Sequence, residues 1–264
     1  MEDPFSAVSR ACVARHGVGA AFPLERLFIR EARNKPSHDG RDTPYSLYRG
    51  LCCPRAMEER EREVLPRLVV RKDSVLSAEG PVPKEHTFEL IEEALERFGK
   101  VLVWDLDGIE RNRPNLRFIR RFEGEGLWVD AGIRRAESVI DVLVAGADRV
   151  AMGTKTIRDL EELSAARELT ENLALLVDFA HGKLSGWGDM PRMAPVQLMR
   201  SARRIGIETT LVVDESFAVP RSVFHEAPPD VRLYAGIVPS RAFTSLPEHV
   251  GAIVDFWEVV PRKT

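Results

Sequence analysis

From residue 101 to residue 183 the chain repeats one pattern: a short apolar run, a cluster of carboxylates or glycines, then a segment with helical periodicity. The apolar runs cover 101–105, 126–130, 148–152 and 173–178. They end in Asp105-Leu-Asp-Gly108, Asp130-Ala-Gly-Ile-Arg134, Gly153-Thr-Lys155 and Asp178-Phe-Ala-His-Gly182. Alternation of this kind dictates right-handed crossovers and a parallel sheet. Runs at 67–71, 208–214, 231–235 and 251–258 bring the strands to eight, with helical segments near 84–98, 113–121, 135–145, 157–168, 193–204, 217–226 and 240–249. Residues 173–177 and 211–213 are apolar throughout, as strands covered on both faces are. Thr87, Phe88, Leu90, Ile91, Ala94, Leu95 and Phe98 form a helical stripe that Gly99 ends. The fold class expected is α/β, a (β/α)8 TIM barrel. In such a barrel the active site lies at the C-terminal ends of the strands, where this chain keeps its carboxylates and glycines.

The barrel is expected over 65–264. Residues 1–64 carry Pro4, Pro23, Pro36, Pro44 and Pro54 without a strand rhythm and read as an N-terminal extension. Helical pieces are expected there at 4–16, 23–33 and 55–65, with a loop over 34–49. The eighth strand ends close to Thr264, so no eighth helix is expected. A helix of the extension would cover that gap; the alternative is that the extension is largely disordered.

A net charge of −3 offers no field for nucleic acid and no polybasic face for a membrane. No apolar run approaches the roughly 20 residues of a spanning helix, and the acidic start lacks the order of a signal peptide, so cytoplasm is expected. Cys12, Cys52 and Cys53 do not make a disulfide framework, and reduced loop cysteines are the favoured reading. There is no CxxC or HExxH spacing, so neither metal nor cofactor is expected.

Asp178, at a strand end between apolar Val177 and Phe179, is the best candidate for acid–base chemistry; the alternative is a turn cap or a partner for Lys183. Asp105 stands behind it, with loop capping its rival role. Lys155 follows a strand end, where a Schiff base is conceivable, but a helix start or phosphate contact suits it better. His181 is a candidate proton shuttle, although a surface histidine is the commoner case.

Asp105-Leu-Asp-Gly108, Val129-Asp-Ala-Gly-Ile-Arg134, Gly146-Ala-Asp-Arg-Val150, Gly153-Thr154 and Val177-Asp-Phe-Ala-His-Gly-Lys183 resemble, in order and spacing, the histidine-biosynthesis barrels. These are the phosphoribosylformimino-aminoimidazole carboxamide ribotide isomerase and the cyclase subunit of imidazole glycerol phosphate synthase. The Asp-Ala-Gly-Ile-Arg variant is most similar to divergent archaeal-type relatives. The resemblance is specific over about residues 100–190. It implies that carboxylates at the ends of strands one and five open a ribose ring and drive an Amadori rearrangement of an aminoaldose to an aminoketose. The strand-five carboxylate matches Asp178. On strand one the family aspartate falls at Arg71, leaving Asp73 two residues on; a competing register starts the barrel at 27–30. Of the two phosphate sites implied, one matches Gly132 and Arg134 with Gly153 and Thr154. Thr154 also suits a helix N-cap. The other keeps Gly236, but Trp257 and Glu258 stand where the family has a small turn, and Val213 where the isomerase has threonine; Asp73 and Asp214 are the further candidate carboxylates that the resemblance leaves. The partner implied is a small phosphorylated metabolite; the oligomeric state stays open. The rival functions are a lyase or aldolase acting on a phosphate ester, and a binding barrel without turnover.

Overall fold

A computed structural model describes residues 62–122, 126–214, 216, 218–239 and 245–259. The expectations for residues 1–61, including the three cysteines, the helical pieces and the alternative strand at 27–30, lie outside the described residues. Eight parallel strands among the described residues close a barrel. They are β1 (Val64–Arg71), β4 (Val101–Asp105), β5 (Leu127–Asp130), β6 (Arg149–Gly153), β7 (Leu173–Ala180), β9 (Thr209–Asp214), β10 (Arg232–Gly236) and β11 (Gly251–Asp255). Neighbours pair in chain order, and β11 returns to β1 through Val64↔Ala252 to Arg67↔Asp255. The first barrel strand described is therefore the one expected from residue 67, extended back to Val64.

Side chains on these strands divide by two-residue alternation. Leu65, Val69, Leu102, Trp104, Trp128, Ala151, Ala174, Leu176, Leu211, Val213, Tyr234 and Ile253 fill the bore as one apolar cluster. Val101, Val103, Val129, Val150, Leu175, Val177 and Val212 face the helical layer in a second cluster. At the N-terminal end the bore is closed by Trp128 against Tyr234, ring centroids 5.7 Å apart, and by Lys100, whose Nζ donates to the Tyr234 hydroxyl at 2.7 Å.

The long helix between β1 and β4, α1 (Lys84–Phe98), buries Thr87, Ile91 and Ala94 and stops at Gly99, where φ is +69° and the N–H meets the Leu95 carbonyl. Two short helices follow β4: α2 (Leu106–Arg111) and α3 (Leu116–Ile119). The turn expected at Asp105–Gly108 is thus a helix start, because the Asp105 carboxylate accepts the Asp107 N–H and caps it. The remaining layer is α4 (Ser138–Val144), α5 (Leu160–Leu169), α6 (Pro195–Arg204) and α7 (Arg221–His225). The eighth strand ends at Asp255, three residues earlier than its apolar run. A single helical turn, α8 (Phe256–Val259), follows. The short antiparallel strands β2 (Ser74–Ser77), β3 (Gly80–Pro81) and β8 (Lys183–Leu184) form hairpins over the C-terminal ends of β1 and β7. The first hairpin turns through Lys72 and Asp73, both at positive φ, the geometry that matches the twist of flanking strands.

Candidate active site

Of the four carboxylates expected to carry chemistry, Asp178 continues the inward set Ala174 and Leu176 at the mouth of the bore. It is 4% exposed. Its Oδ2 accepts the Lys155 N–H at 3.2 Å and lies 3.3 Å from the Thr154 hydroxyl oxygen, and its Oδ1 lies 3.4 Å from the Lys155 ammonium. Its ionic partner is Lys155 and not Lys183. Gly153 leaves room for it: a Cβ there would sit 3.0 Å from Asp178 Oδ2.

The other three carboxylates serve the loops. Asp105 falls on the outward alternation of β4, where it caps α2 and also accepts the Asn115 N–H at 2.5 Å. Burial pushes its pKa to about 6 against those hydrogen bonds. Asp214 accepts the Gly182 N–H at 2.7 Å and the Ser216 N–H at 2.7 Å, with the Ser216 hydroxyl at 2.5 Å, so it ties the β7–β8 hairpin to the turn after β9. Burial works to raise it, but the hydrogen bonds from Ser216 and Gly182 outweigh burial and hold it below the usual carboxylate range. Asp73 sits at the hairpin tip, bonded to Asn115 and to Lys84 at 3.0 Å. The Asn115 bond, then Lys84, keeps it low. His181 is exposed in the hairpin turn at positive φ.

Asp130, which the motifs did not single out as a site residue, shares the mouth with Asp178. It follows Trp128 on the inward alternation of β5 and is 5% exposed. Its Oδ1 accepts the Gly132 N–H at 3.0 Å. Burial, reinforced by the Asp178 charge, pushes its pKa to about 7, against the Gly132 hydrogen bond and Lys155. The signal was present in the alternation Trp128, Asp130; the glycine turn behind it was the more familiar feature.

The residues expected to hold phosphate are committed within the protein. Gly132, at φ +64°, gives its N–H to Asp130. Arg134 reaches the carbonyls of Gly108 at 3.1 Å, Ile109 at 2.8 Å and Gly132 at 2.7 Å, tying the turn after β5 to α2. Thr154 is fully buried; its N–H meets the Leu176 carbonyl at 2.9 Å and its hydroxyl the Ser185 carbonyl at 2.7 Å. It does not cap a helix: α5 begins six residues on, capped by Asp159. Gly236, on the inward set of β10, packs against Ile253, where a Cβ would lie 2.6 Å away. Trp257 turns toward the first hairpin, its Nε1 donating to the Leu76 carbonyl at 3.0 Å.

Strand β1 brings cations where the resemblance calls for an acid. Arg67 is 4% exposed, lies over the Trp104 ring at 4.6 Å and pairs with Asp255 at 2.8 Å. Arg71 pairs with Glu110 at 2.6 Å. Arg67 Nε, Arg71 Nε and Trp104 Nε1 are buried without a hydrogen-bond partner among the described residues. Trp187, 59% exposed, is anchored at the mouth by its N–H to the Thr154 carbonyl at 3.0 Å. Among the described residues no group of three or more His, Cys, Asp or Glu is placed to hold a metal ion, and no helix is long and apolar enough to cross a membrane.

A family described as "Histidine biosynthesis protein" matches residues 70–216. Curated relatives carry the name 1-(5-phosphoribosyl)-5-((5-phosphoribosylamino)methylideneamino) imidazole-4-carboxamide isomerase. The one from Dehalococcoides mccartyi (strain CBDB1) is 31% identical over 121 residues, 43% of this chain and 50% of its own length. That from Rubrobacter xylanophilus is 34% identical over 121 residues, again 43% and 50%. That from Listeria monocytogenes serotype 4a is 27% identical over 157 residues, 57% and 60%. The chain spans about half the length of the curated relatives it matches.

Proposed function

The chain belongs to the histidine biosynthesis protein family, and from that premise we propose that it is an aldose–ketose isomerase acting on a phosphorylated aminoaldose by carboxylate acid–base chemistry. The observation that carries the reading is Asp178. It is a carboxylate turned into the mouth of the bore, its backbone fixed by the sheet and the Thr154 hydroxyl oxygen, and its side-chain oxygens oriented by Lys155. A base so held needs no reorganisation to reach a sugar C–H laid across the mouth. The reading assigns the phosphate end of the ligand to the rim above Gly132 and Gly153–Thr154. There Arg134 and Lys155 are the nearby cations, and either turn must exchange an internal hydrogen bond for one to phosphate. Trp187 offers an exposed aromatic face beside the same mouth.

The test is turnover of the bis-phosphoribosyl aminoaldose followed by ultraviolet absorbance, wild type beside Asp178→Asn. Turnover is expected in wild type and a loss of about 10²–10⁴-fold in kcat in the variant. A second reading, ligand binding without turnover, draws on the interior of β1, where Arg67, Val69 and Arg71 alternate and no acid stands. It is favoured if the purified protein binds the aminoaldose but wild type and variant are equally inactive.

A further inference from the structure

Ring opening and enolisation need two proton-transferring groups, and β1 gives the bore none: its inward side chains are Leu65, Arg67, Val69 and Arg71. We propose that Asp130 is the proton donor of this site, working opposite Asp178, so that the acid–base pair stands on β5 and β7. The proposal rests on the isomerase reading.

Strand β6 lies between β5 and β7, and its last residue is Gly153, so no side chain separates the two carboxyl groups at that level. Asp130 uses one oxygen to accept the Gly132 N–H. On this proposal its other oxygen carries the proton that passes to a ligand. Asp178 has different surroundings, with the Lys155 N–H on one oxygen and the Lys155 ammonium beside the other. Two carboxyl groups in one site whose neighbours differ can divide the roles of base and acid between them. The charged groups that act on Asp130 are Asp178 from β7, Lys155 from the turn after β6, Asp105 from the end of β4, and Arg134 from its own turn. Burial and the Asp178 charge keep its proton on to about pH 7.

The chemistry balances. Asp130 gives its proton to the ring oxygen as the C1–O bond breaks, and the substrate nitrogen supplies the pair that forms C1=N. Asp178 then takes the C2 proton, the C–H pair becomes C1=C2, and the C=N pair returns to nitrogen. C1 recovers a proton from Asp178 while the enol O–H passes to the Asp130 carboxylate, leaving a ketone at C2 and both groups as they began. No redox partner enters.

The experiment compares wild type, Asp130→Asn and Asp178→Asn on the aminoaldose across pH, with the carboxyl infrared band of each followed in parallel. The amide of Asp130→Asn keeps an acceptor for the Gly132 N–H. Expected are a fall of about 10²–10⁴-fold in kcat with little change in KM, and loss of the alkaline decline in rate that wild type shows above neutral pH. Wild-type kcat and pH profile in Asp130→Asn, with Asp178→Asn inactive, would overturn the proposal and leave the isomerase reading standing. If wild type does not turn over, that reading fails and the infrared titration decides the acid alone. A protonated carboxyl persisting to neutral pH and missing in Asp130→Asn supports it; full ionisation well below neutral pH overturns it. Should Asp130→Asn fail to fold, the wild-type pH profile decides: a rate that stays level through alkaline pH overturns the donor.

Discussion

Three aspartates at strand ends in this barrel share a residue type but differ in their surroundings. Asp214 meets three hydrogen bonds from Gly182 and Ser216 and is held low. Asp105 is held by the N–H groups that it caps, yet burial still lifts it. Asp130 is lifted furthest, to about 7, by burial and the neighbouring Asp178 charge, against the Gly132 hydrogen bond. That lift has a consequence for stability. The folded state keeps the Asp130 proton up to about pH 7, whereas the unfolded chain loses it near the ordinary carboxyl value of 3.8. The folded state therefore binds more protons between those values, and stability falls as pH rises through that window, remaining lower above it. Asp130→Asn is expected to stabilise the protein by a few kcal/mol at about pH 8 and by nothing measurable near pH 4, since one pKa unit corresponds to about 1.4 kcal/mol. Urea midpoints at the two pH values check this; equal gains at both would show that burial of the charge is not the cause. At this scale the sequence was half legible. Position at a strand end marks Asp178, Asp105 and Asp214 alike in the sequence; that Asp178 faces the bore while Asp105, on β4, and Asp214, on β9, fall on the outward set is decided by the phase of each strand in the closed barrel.

At the scale of elements, the clusters behind each strand were read correctly as breaks and incompletely as structures. Asp105-Leu-Asp-Gly108 starts a helix because the aspartate folds back on its own backbone, a local bond that a turn and an N-cap share. The glycines are more discriminating. Gly99 and Gly132 both hold positive φ, at +69° and +64°. A Cβ on Gly99 would meet nothing within 4 Å, whereas on Gly132 it would lie 2.4 Å from Ile109 Cα and 2.6 Å from the Gly108 carbonyl oxygen. Gly99→Ala is expected to cost only the left-handed penalty, about 1–2 kcal/mol. Gly132→Ala adds overpacking against backbone, about 1–3 kcal/mol more. It should also reduce turnover, since the turn it displaces orients Asp130. Thermal unfolding of the pair checks the difference; equal losses would mean that the turn after β5 shifts freely.

The whole molecule is defined by closure of β11 on β1, a pairing across nearly the full length of the described chain. Arg67 and Asp255 are register partners on those two strands and form an ion pair inside the seam. Removing one partner of a buried pair leaves the other charge uncompensated, typically at about 3–5 kcal/mol. The 23% exposure of Asp255 should place Arg67→Ala at the lower end. The double variant Arg67→Met with Asp255→Asn is expected to recover most of the loss. Chemical denaturation of the three proteins tests this, and a double variant no more stable than Arg67→Ala would show that the guanidinium's packing on Trp104, and not its charge, holds the seam. Strand and helix alternation determined the barrel and the end of it that carries the carboxylates, because hydrophobic periodicity is a local property of the chain. Which carboxylates share a bore, which glycine leaves space between them, and which arginine faces the last strand were decided only when closure brought residues far apart in sequence to neighbouring strands. The pKa of a buried acid depends on those neighbours and not on its own stretch of chain.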